Sequence, residues 1–112
     1  MLFRSGPRIG SFTTSPNPVS TGSSLTLTAS SITDSNPNST ITQVAFYLDS
    51  NNDGILEPGA DTLLGFATYT SAGVWTLSFT VNLVPGTYTL FAQAADTYGV
   101  FGDPVFLALT VQ

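Results

Sequence analysis

A chain of 112 residues is long enough for one domain with one hydrophobic core, and a hydrophobic content of 42% excludes a disordered polar segment. A net charge of −5 with two basic residues excludes the basic patch that nucleic acids and anionic membrane surfaces require. Cysteine and histidine are absent, which excludes disulfides and histidine chemistry, and no apolar run approaches the ~18 residues of a membrane span.

Residues 1–8 are interpreted as a linker or cloning remnant, and the folded domain is predicted over residues 9–112. The opening segment, Met1–Arg4, is too short for the apolar core of a signal peptide. If the parent protein is exported, its signal lies outside this chain. We therefore interpret the chain as a domain excised from a larger protein.

From residue 9 onward, apolar and polar residues alternate with a period of two, and no segment sustains a helical period. Clusters of turn-forming residues, such as Ser20-Thr21-Gly22 and Pro85-Gly86, separate the alternating segments. Seven half-buried strands are therefore predicted, over residues 9–19, 24–30, 41–49, 62–69, 74–82, 87–96 and 105–111. Short strands at a spacing of ~8–12 residues are typical of an antiparallel β-sandwich. The register of the fourth strand is ambiguous, because Leu63 and Leu64 are adjacent.

The connection between the third and fourth predicted strands carries more acids than a turn requires. It reads DSNNDGILEPGAD over residues 49–61, and it begins like a calcium loop of the form D-x-N-x-D-G-x-L. Ca²⁺ takes six to eight oxygen ligands, and oxygens on alternate residues converge where such a loop curls at its glycine. The predicted ligands are the side chains of Asp49, Asn51, Asp53, Glu57 and Asp61 and the backbone carbonyl of Ile55.

Two interpretations of this loop stay open. Ala60 occupies the twelfth position, where the helical form of the motif carries its closing glutamate, so either Glu57 or Asp61 would close a metal site. The alternative is a polar loop without a metal, because Asn52-Asp53-Gly54 are ordinary turn residues. Four carboxylates within thirteen residues repel each other unless a cation lies among them, which favours calcium.

Two further aspartates, Asp96 and Asp103, flank the last connection. A second cation there would need a larger set of oxygen ligands. We therefore interpret Asp96 as the start of an Asx turn, and Asp103 as a turn residue before Pro104.

Three aromatic residues, Tyr47, Phe91 and Phe106, point away from the core by the alternation of their strands. In the inferred topology the third, sixth and seventh strands share a sheet, with the sixth in the middle, so the three rings share its outer face. A contiguous apolar patch on a monomer predicts an interface. The alternative is a set of scattered surface rings that stabilise cross-strand pairs.

Residues 83–94, LVPGTYTLFAQA, together with Asp96, resemble the corner and sixth strand of bacterial immunoglobulin-like repeat domains, which are similar to fibronectin type III modules. Tyr88 matches the corner tyrosine whose hydroxyl bonds back to the preceding loop. The inter-sheet cysteines of antibody domains are missing, and Trp75 falls on the fifth strand instead of the third. The resemblance implies a seven-stranded immunoglobulin-like antiparallel β-sandwich that occurs as tandem repeats in large secreted or cell-surface bacterial proteins.

These observations predict a module that is not an enzyme. The sequence has no serine–histidine–aspartate set, and carboxylates on an exposed loop lack the walled pocket that raises an acid's pKa. We expect a calcium-stabilised module that serves adhesion or spacing in an exported bacterial protein, at the cell surface or outside the cell. Its expected partners are the neighbouring domains of the parent protein, and another protein or a glycan. The alternative is a carbohydrate-binding β-sandwich appended to an exported hydrolase, although Trp75 itself is expected in the core.

Overall fold

The structure is a computed structural model that describes residues 6–34, 38–71 and 73–112. In this described part the chain forms eight strands and no helix that could cross a membrane. The strands are β1 (Arg8–Ser15), β2 (Ser24–Thr33), β3 (Ile41–Leu48), β4 (Thr62–Phe66), β5 (Thr68–Ser71), β6 (Val74–Thr80), β7 (Gly86–Asp96) and β8 (Val105–Val111). Two antiparallel sheets, in the orders β1-β2-β6-β5 and β4-β3-β7-β8, form a sandwich. The predicted immunoglobulin-like fold is confirmed.

The core lies between the inner faces of the two sheets. Its fully buried residues come from alternate positions of the strands, as a half-buried sheet requires. They include Leu25, Leu27, Val44, Phe46, Leu90 and Leu109. Phe12 of β1 stacks on Phe46 of β3, with ring centroids 5.5 Å apart, and so joins one sheet to the other. Each such buried side chain stabilises the fold by about 1.5–3 kcal/mol.

The predicted strand over residues 62–69 is divided between the two sheets. β4 pairs with β3, whereas β5 pairs with β6 on the opposite side of the sandwich. The chain changes sheets at Ala67, whose amide still donates to the carbonyl oxygen of Val44 at 2.7 Å. The described residues therefore form eight strands where the sequence predicts seven. The adjacent Leu63 and Leu64 reflect this change, because neither sheet alone sets the alternation of the segment.

The first strand ends at Ser15 and not at residue 19 as predicted. Pro16 and Pro18 follow, and neither has an N–H group to continue an antiparallel ladder. Val19 instead forms a parallel bridge with Val111 at the edge of the other sheet. At the other end, β1 begins at Arg8. Residues 1–5 lie outside the described part, and the interpretation of 1–8 as a linker stays a prediction.

A tyrosine fixes the corner before β7. The hydroxyl of Tyr88 donates to the carbonyl oxygen of Val84 at 2.6 Å, which is the bond that the sequence predicts for a corner tyrosine. Trp75 packs against the core, with its ring edge-on to Tyr69 at 5.3 Å. Its predicted core position is confirmed.

The strand directions place the loop over residues 49–61. β3 and β8 both run antiparallel to β7, and Leu48 and Leu107 both lie opposite Leu90. The chain therefore leaves β3 at the same end of this sheet at which β8 reaches Gln112.

Candidate functional site

The loop over residues 49–61 begins with a buried carboxylate. Asp49 directly follows β3, and its amide donates to the carbonyl oxygen of Thr89 at 2.9 Å, which holds it against β7. Its side chain is 6% exposed. The Oδ2 atom accepts the amide of Gly54 at 2.9 Å, and the positive φ of 73° at Gly54 allows the chain to curl back. The Oδ1 atom is buried and has no hydrogen-bond partner.

The loop ends with a second buried carboxylate, Asp61, which is 7% exposed. Its Oδ1 accepts the amide of Ser50 at 3.0 Å, and its Oδ2 accepts the amide of Glu57 at 2.8 Å. The hydroxyls of Ser50 and Thr62 lie 2.6 Å apart beside it. Because both oxygens of Asp61 bond to backbone amides, this residue ties the two ends of the loop together.

The other predicted ligand side chains lie at the surface. The Nδ2 atom of Asn51 donates to Oε1 of Glu57 at 2.7 Å. The Oδ1 atom of Asp53 accepts the amide of Ile55 at 3.0 Å. That backbone hydrogen bond, and next a hydrogen bond with the side chain of Glu57, hold the pKa of Asp53 below its usual value of 3.8. The Ile55 side chain is exposed, as expected for a residue that would offer only its carbonyl oxygen.

In this conformation the predicted ligands are only partly assembled. Across residues 6–34, 38–71 and 73–112, no group of three or more histidine, cysteine, aspartate or glutamate side chains is placed to hold a metal ion. The predicted donors nevertheless all lie on one short loop, and the loop begins at an Asp49 oxygen that is buried without a hydrogen-bond partner. A buried polar atom without a partner costs about 1–3 kcal/mol, and more when it is charged. All the donors are hard oxygens, which suit Ca²⁺.

The loop after β7 is a turn without these features. Asp96 is 2% exposed, and its Oδ1 accepts the amides of Tyr98 at 2.9 Å and Val100 at 3.1 Å. The predicted Asx turn at Asp96 is confirmed. Asp103 is exposed and lies before Pro104.

The three aromatic residues form one row across the outer face of the second sheet. Tyr47 pairs with Phe91, and Phe91 pairs with Phe106, so the predicted register is confirmed. Phe106 is 73% exposed and Tyr47 is half-buried, but Phe91 is only 2% exposed. The expectation that Phe91 forms part of an exposed patch is therefore wrong. It lies on the central strand β7, between β3 and β8, where a strand on each side leaves an outward side chain less open to solvent than at a sheet edge.

A groove with a volume of about 350 Å³ lies on this outer face. It is lined by Gln43, Tyr47, Pro58, Phe66, Gln93 and Phe101. The sequence identified Tyr47 but not the two phenylalanines. Phe66 was missed because the register of its strand is ambiguous, and Phe101 because it lies in a loop without alternation. Both rings remain more than half exposed, at 54% and 57%.

Comparisons with known proteins give the fold and not a family. No protein-family model and no curated protein matches the chain. Among solved structures, the PKD domain of an M14-like peptidase from a Thermoplasmatales archaeon is 23% identical with a TM-score of 0.54, over 97% of this chain and 98% of that domain. Superoxide reductase (neelaredoxin) from Ignicoccus hospitalis is 10% identical with a TM-score of 0.58, over 97% of this chain and 82% of that protein. A variant of that reductase is 11% identical with a TM-score of 0.60, over 97% of this chain and 82% of the variant.

At these identities each likeness concerns the backbone arrangement alone. The PKD domain supports the immunoglobulin-like sandwich of this chain. The reductases share the overall sandwich arrangement. Function must therefore be argued from the chain's own side chains.

Proposed function

We propose that this chain is a non-catalytic, calcium-stabilised immunoglobulin-like module that serves adhesion or spacing in a larger exported bacterial protein. One observation carries the calcium proposal: the buried Oδ1 atom of Asp49 has no hydrogen-bond partner at the head of an oxygen-rich loop. A cation at this atom would supply the missing partner and relieve the repulsion between the loop's carboxylates.

The contacts within the loop suggest a division of roles among the predicted ligands. Asp49 would coordinate through Oδ1 while its other oxygen stays bonded to Gly54. Asn51, Asp53 and the carbonyl of Ile55 would follow at alternate positions. Glu57 would close the site, because both oxygens of Asp61 already accept amides. We propose that Asp61 positions the loop, and that the bond between Asn51 and Glu57 opens when the ion binds.

The non-catalytic role is supported by where the buried acids lie. Asp49, Asp61 and Asp96 each accept a backbone amide within their own loops, and none of them lines the groove on the outer face. The PKD domain of similar fold belongs to a peptidase, and we propose a comparable appended position for this chain. Because the loop lies at the end of the sheet where β8 reaches Gln112, a bound ion there would stiffen a junction with a following domain.

Thermal unfolding with calcium chloride and with EGTA tests the calcium proposal. At a free Ca²⁺ concentration of 100 times Kd, binding stabilises the fold by about 2.7 kcal/mol. For a domain of this size that raises Tm by roughly ten degrees. The gain should disappear in Asp53→Asn and persist in Asp103→Asn, an exposed aspartate outside the loop. Identical melting curves of the unmodified chain in calcium and in EGTA would leave this loop as a metal-free turn.

A further inference from the structure

We propose that the groove on the outer face of the β4-β3-β7-β8 sheet binds a neutral carbohydrate. The groove has a volume of about 350 Å³, within the range of roughly 300–1,000 Å³ typical of small-molecule sites. This proposal does not depend on calcium binding, since the groove is lined by residues other than the predicted metal ligands.

Three rings form the apolar walls of the groove. Tyr47 comes from β3, Phe66 from the end of β4, and Phe101 from the loop before β8. Pro58 adds an aliphatic ring from the loop over residues 49–61. Phe66 and Phe101 leave more than half of their surface open to solvent. Flat, exposed rings beside a concave surface suit the C–H faces of a sugar ring, which are apolar while its edge carries hydroxyls.

Two amides supply the polar contacts. Gln43 on β3 and Gln93 on β7 both line the groove. The Nε2 atom of Gln93 donates to the carbonyl oxygen of Gly102 at 2.9 Å, and this bond fixes the orientation of its side chain. A side-chain amide carries an acceptor and two donors, so it complements the hydroxyl groups of a sugar, which donate and accept in turn.

The charge of the groove favours a neutral ligand. None of its six lining residues is Asp, Glu, Lys or Arg. A net charge of −5 on the whole chain repels an anion, and the lining offers a cation no carboxylate. An uncharged ligand that is apolar on its faces and polar at its edges is the one that this lining complements.

The size and place of the groove favour a sugar over a protein or peptide. A stable protein interface buries about 800 Å² on each partner, which needs a broad surface and not a small concavity. A peptide that adds a strand requires an open sheet edge, whereas this groove lies on a sheet face.

The sheet face that carries the groove is already packed. Ala45, Phe91 and Ala95 lie on this outer face of β3 and β7, and they are 2%, 2% and 4% exposed. They belong neither to the central core nor to the groove lining, and they form a second buried set on the same face. A packed sheet face lowers the ordering cost of binding, because few side chains must be fixed when the ligand arrives.

The test is an NMR titration of the whole chain with cellohexaose, xylohexaose, mannohexaose and N-acetylchitohexaose, and with tetragalacturonate as an acidic counterpart. At least one neutral sugar should shift the side-chain amide signals of Gln43 and Gln93, and tetragalacturonate should not. Phe66→Ala and Phe101→Ala should each weaken binding about tenfold, as expected for a ring that carries binding energy. Phe106→Ala is the matched control, because its ring is 73% exposed on the same face but does not line the groove.

Three outcomes overturn the proposal. The first is the absence of any shift across the neutral sugars at millimolar concentration. The second is binding that Phe66→Ala and Phe101→Ala leave unchanged while both variants keep the melting temperature of the unmodified chain. The third is self-association in sedimentation velocity that these two substitutions abolish, which would make the groove an interface between copies of the chain.

Discussion

Two loops leave the β4-β3-β7-β8 sheet from opposite ends, and each begins with a buried aspartate. At Asp96, the last residue of β7, one carboxylate oxygen accepts two amides from the next four residues. Asp49, after β3, gives one oxygen to Gly54 and leaves the other without a partner. Both aspartates are buried, at 6% exposed for Asp49 and 2% for Asp96, so burial does not separate a turn-forming carboxylate from a candidate metal ligand. What separates them is how the backbone satisfies the carboxylate oxygens.

The largest expected effect is at the turn. Asp96→Ala removes a buried acceptor from the amides of Tyr98 and Val100, and should lower the free energy of unfolding by about 3 kcal/mol. Urea unfolding should give the same loss in calcium and in EGTA. A loss confined to calcium would instead make Asp96 a second metal ligand.

Asp49→Asn should instead destabilise the fold more in calcium than in EGTA. In calcium at 100 times Kd it should lose most of the gain of about 2.7 kcal/mol, because the site loses one of the negative charges that attract the ion. In EGTA the loss should stay within about 1 kcal/mol, since an amide oxygen still accepts the amide of Gly54 and the unpartnered charge is removed. Asp103→Asn, at an exposed site, is the control for the loss of one negative charge. Equal losses in both solutions would show that Asp49 forms a turn as Asp96 does.

Asp61→Asn tests the division of roles within the calcium loop. An asparagine offers one acceptor oxygen where Asp61 uses two, so one of the amides of Ser50 and Glu57 loses its partner. We expect a loss of about 1–2 kcal/mol in EGTA. A variant as stable as the unmodified chain in EGTA, but unresponsive to calcium, would identify Asp61 as a direct ligand.

The smallest effect is a pH dependence at Asp53. Its pKa is lowered in the folded chain, first by the amide of Ile55 and then by Glu57. The folded state therefore binds this proton less readily than the unfolded state does. The contribution of Asp53 to the stability of the fold is therefore present above pH 3.8, the usual pKa of the group. It is lost as the pH falls through the lower pKa of the folded state. An NMR titration in EGTA should show the lowered pKa, and Ile55→Pro, which removes the donating amide, should raise it. An unchanged pKa in that variant would contradict the assigned cause.

The sequence predicts the sandwich because a period of two survives wherever one strand face is buried. The alternation does not predict the structure where a segment passes from one sheet to the other, or where neighbouring strands cover an outer face. Leu63 and Leu64 lie in a segment that changes sheets, so no single alternation describes it. Phe91 points outward as its position predicts, but neighbouring strands decide its burial.

The candidate calcium loop shows the same limit on a smaller scale. Its spacing correctly indicates a loop that curls at Gly54. Spacing cannot show that both oxygens of Asp61 meet backbone amides, or that one oxygen of Asp49 meets none. Those contacts depend on backbone positions that the whole loop sets together.

Asn17, between two prolines, has a consequence for the behaviour of the domain at high concentration. Its Nδ2 donates to the carbonyl oxygen of Ala108 at 3.0 Å and its Oδ1 accepts the amide of Thr110 at 3.1 Å. One side chain thus occupies two of the backbone positions that a foreign strand would use along β8. The flanking prolines offer no N–H groups of their own, so this part of the edge is a poor template for cross-β stacking. We therefore expect the domain to resist edge-to-edge aggregation along this part of β8.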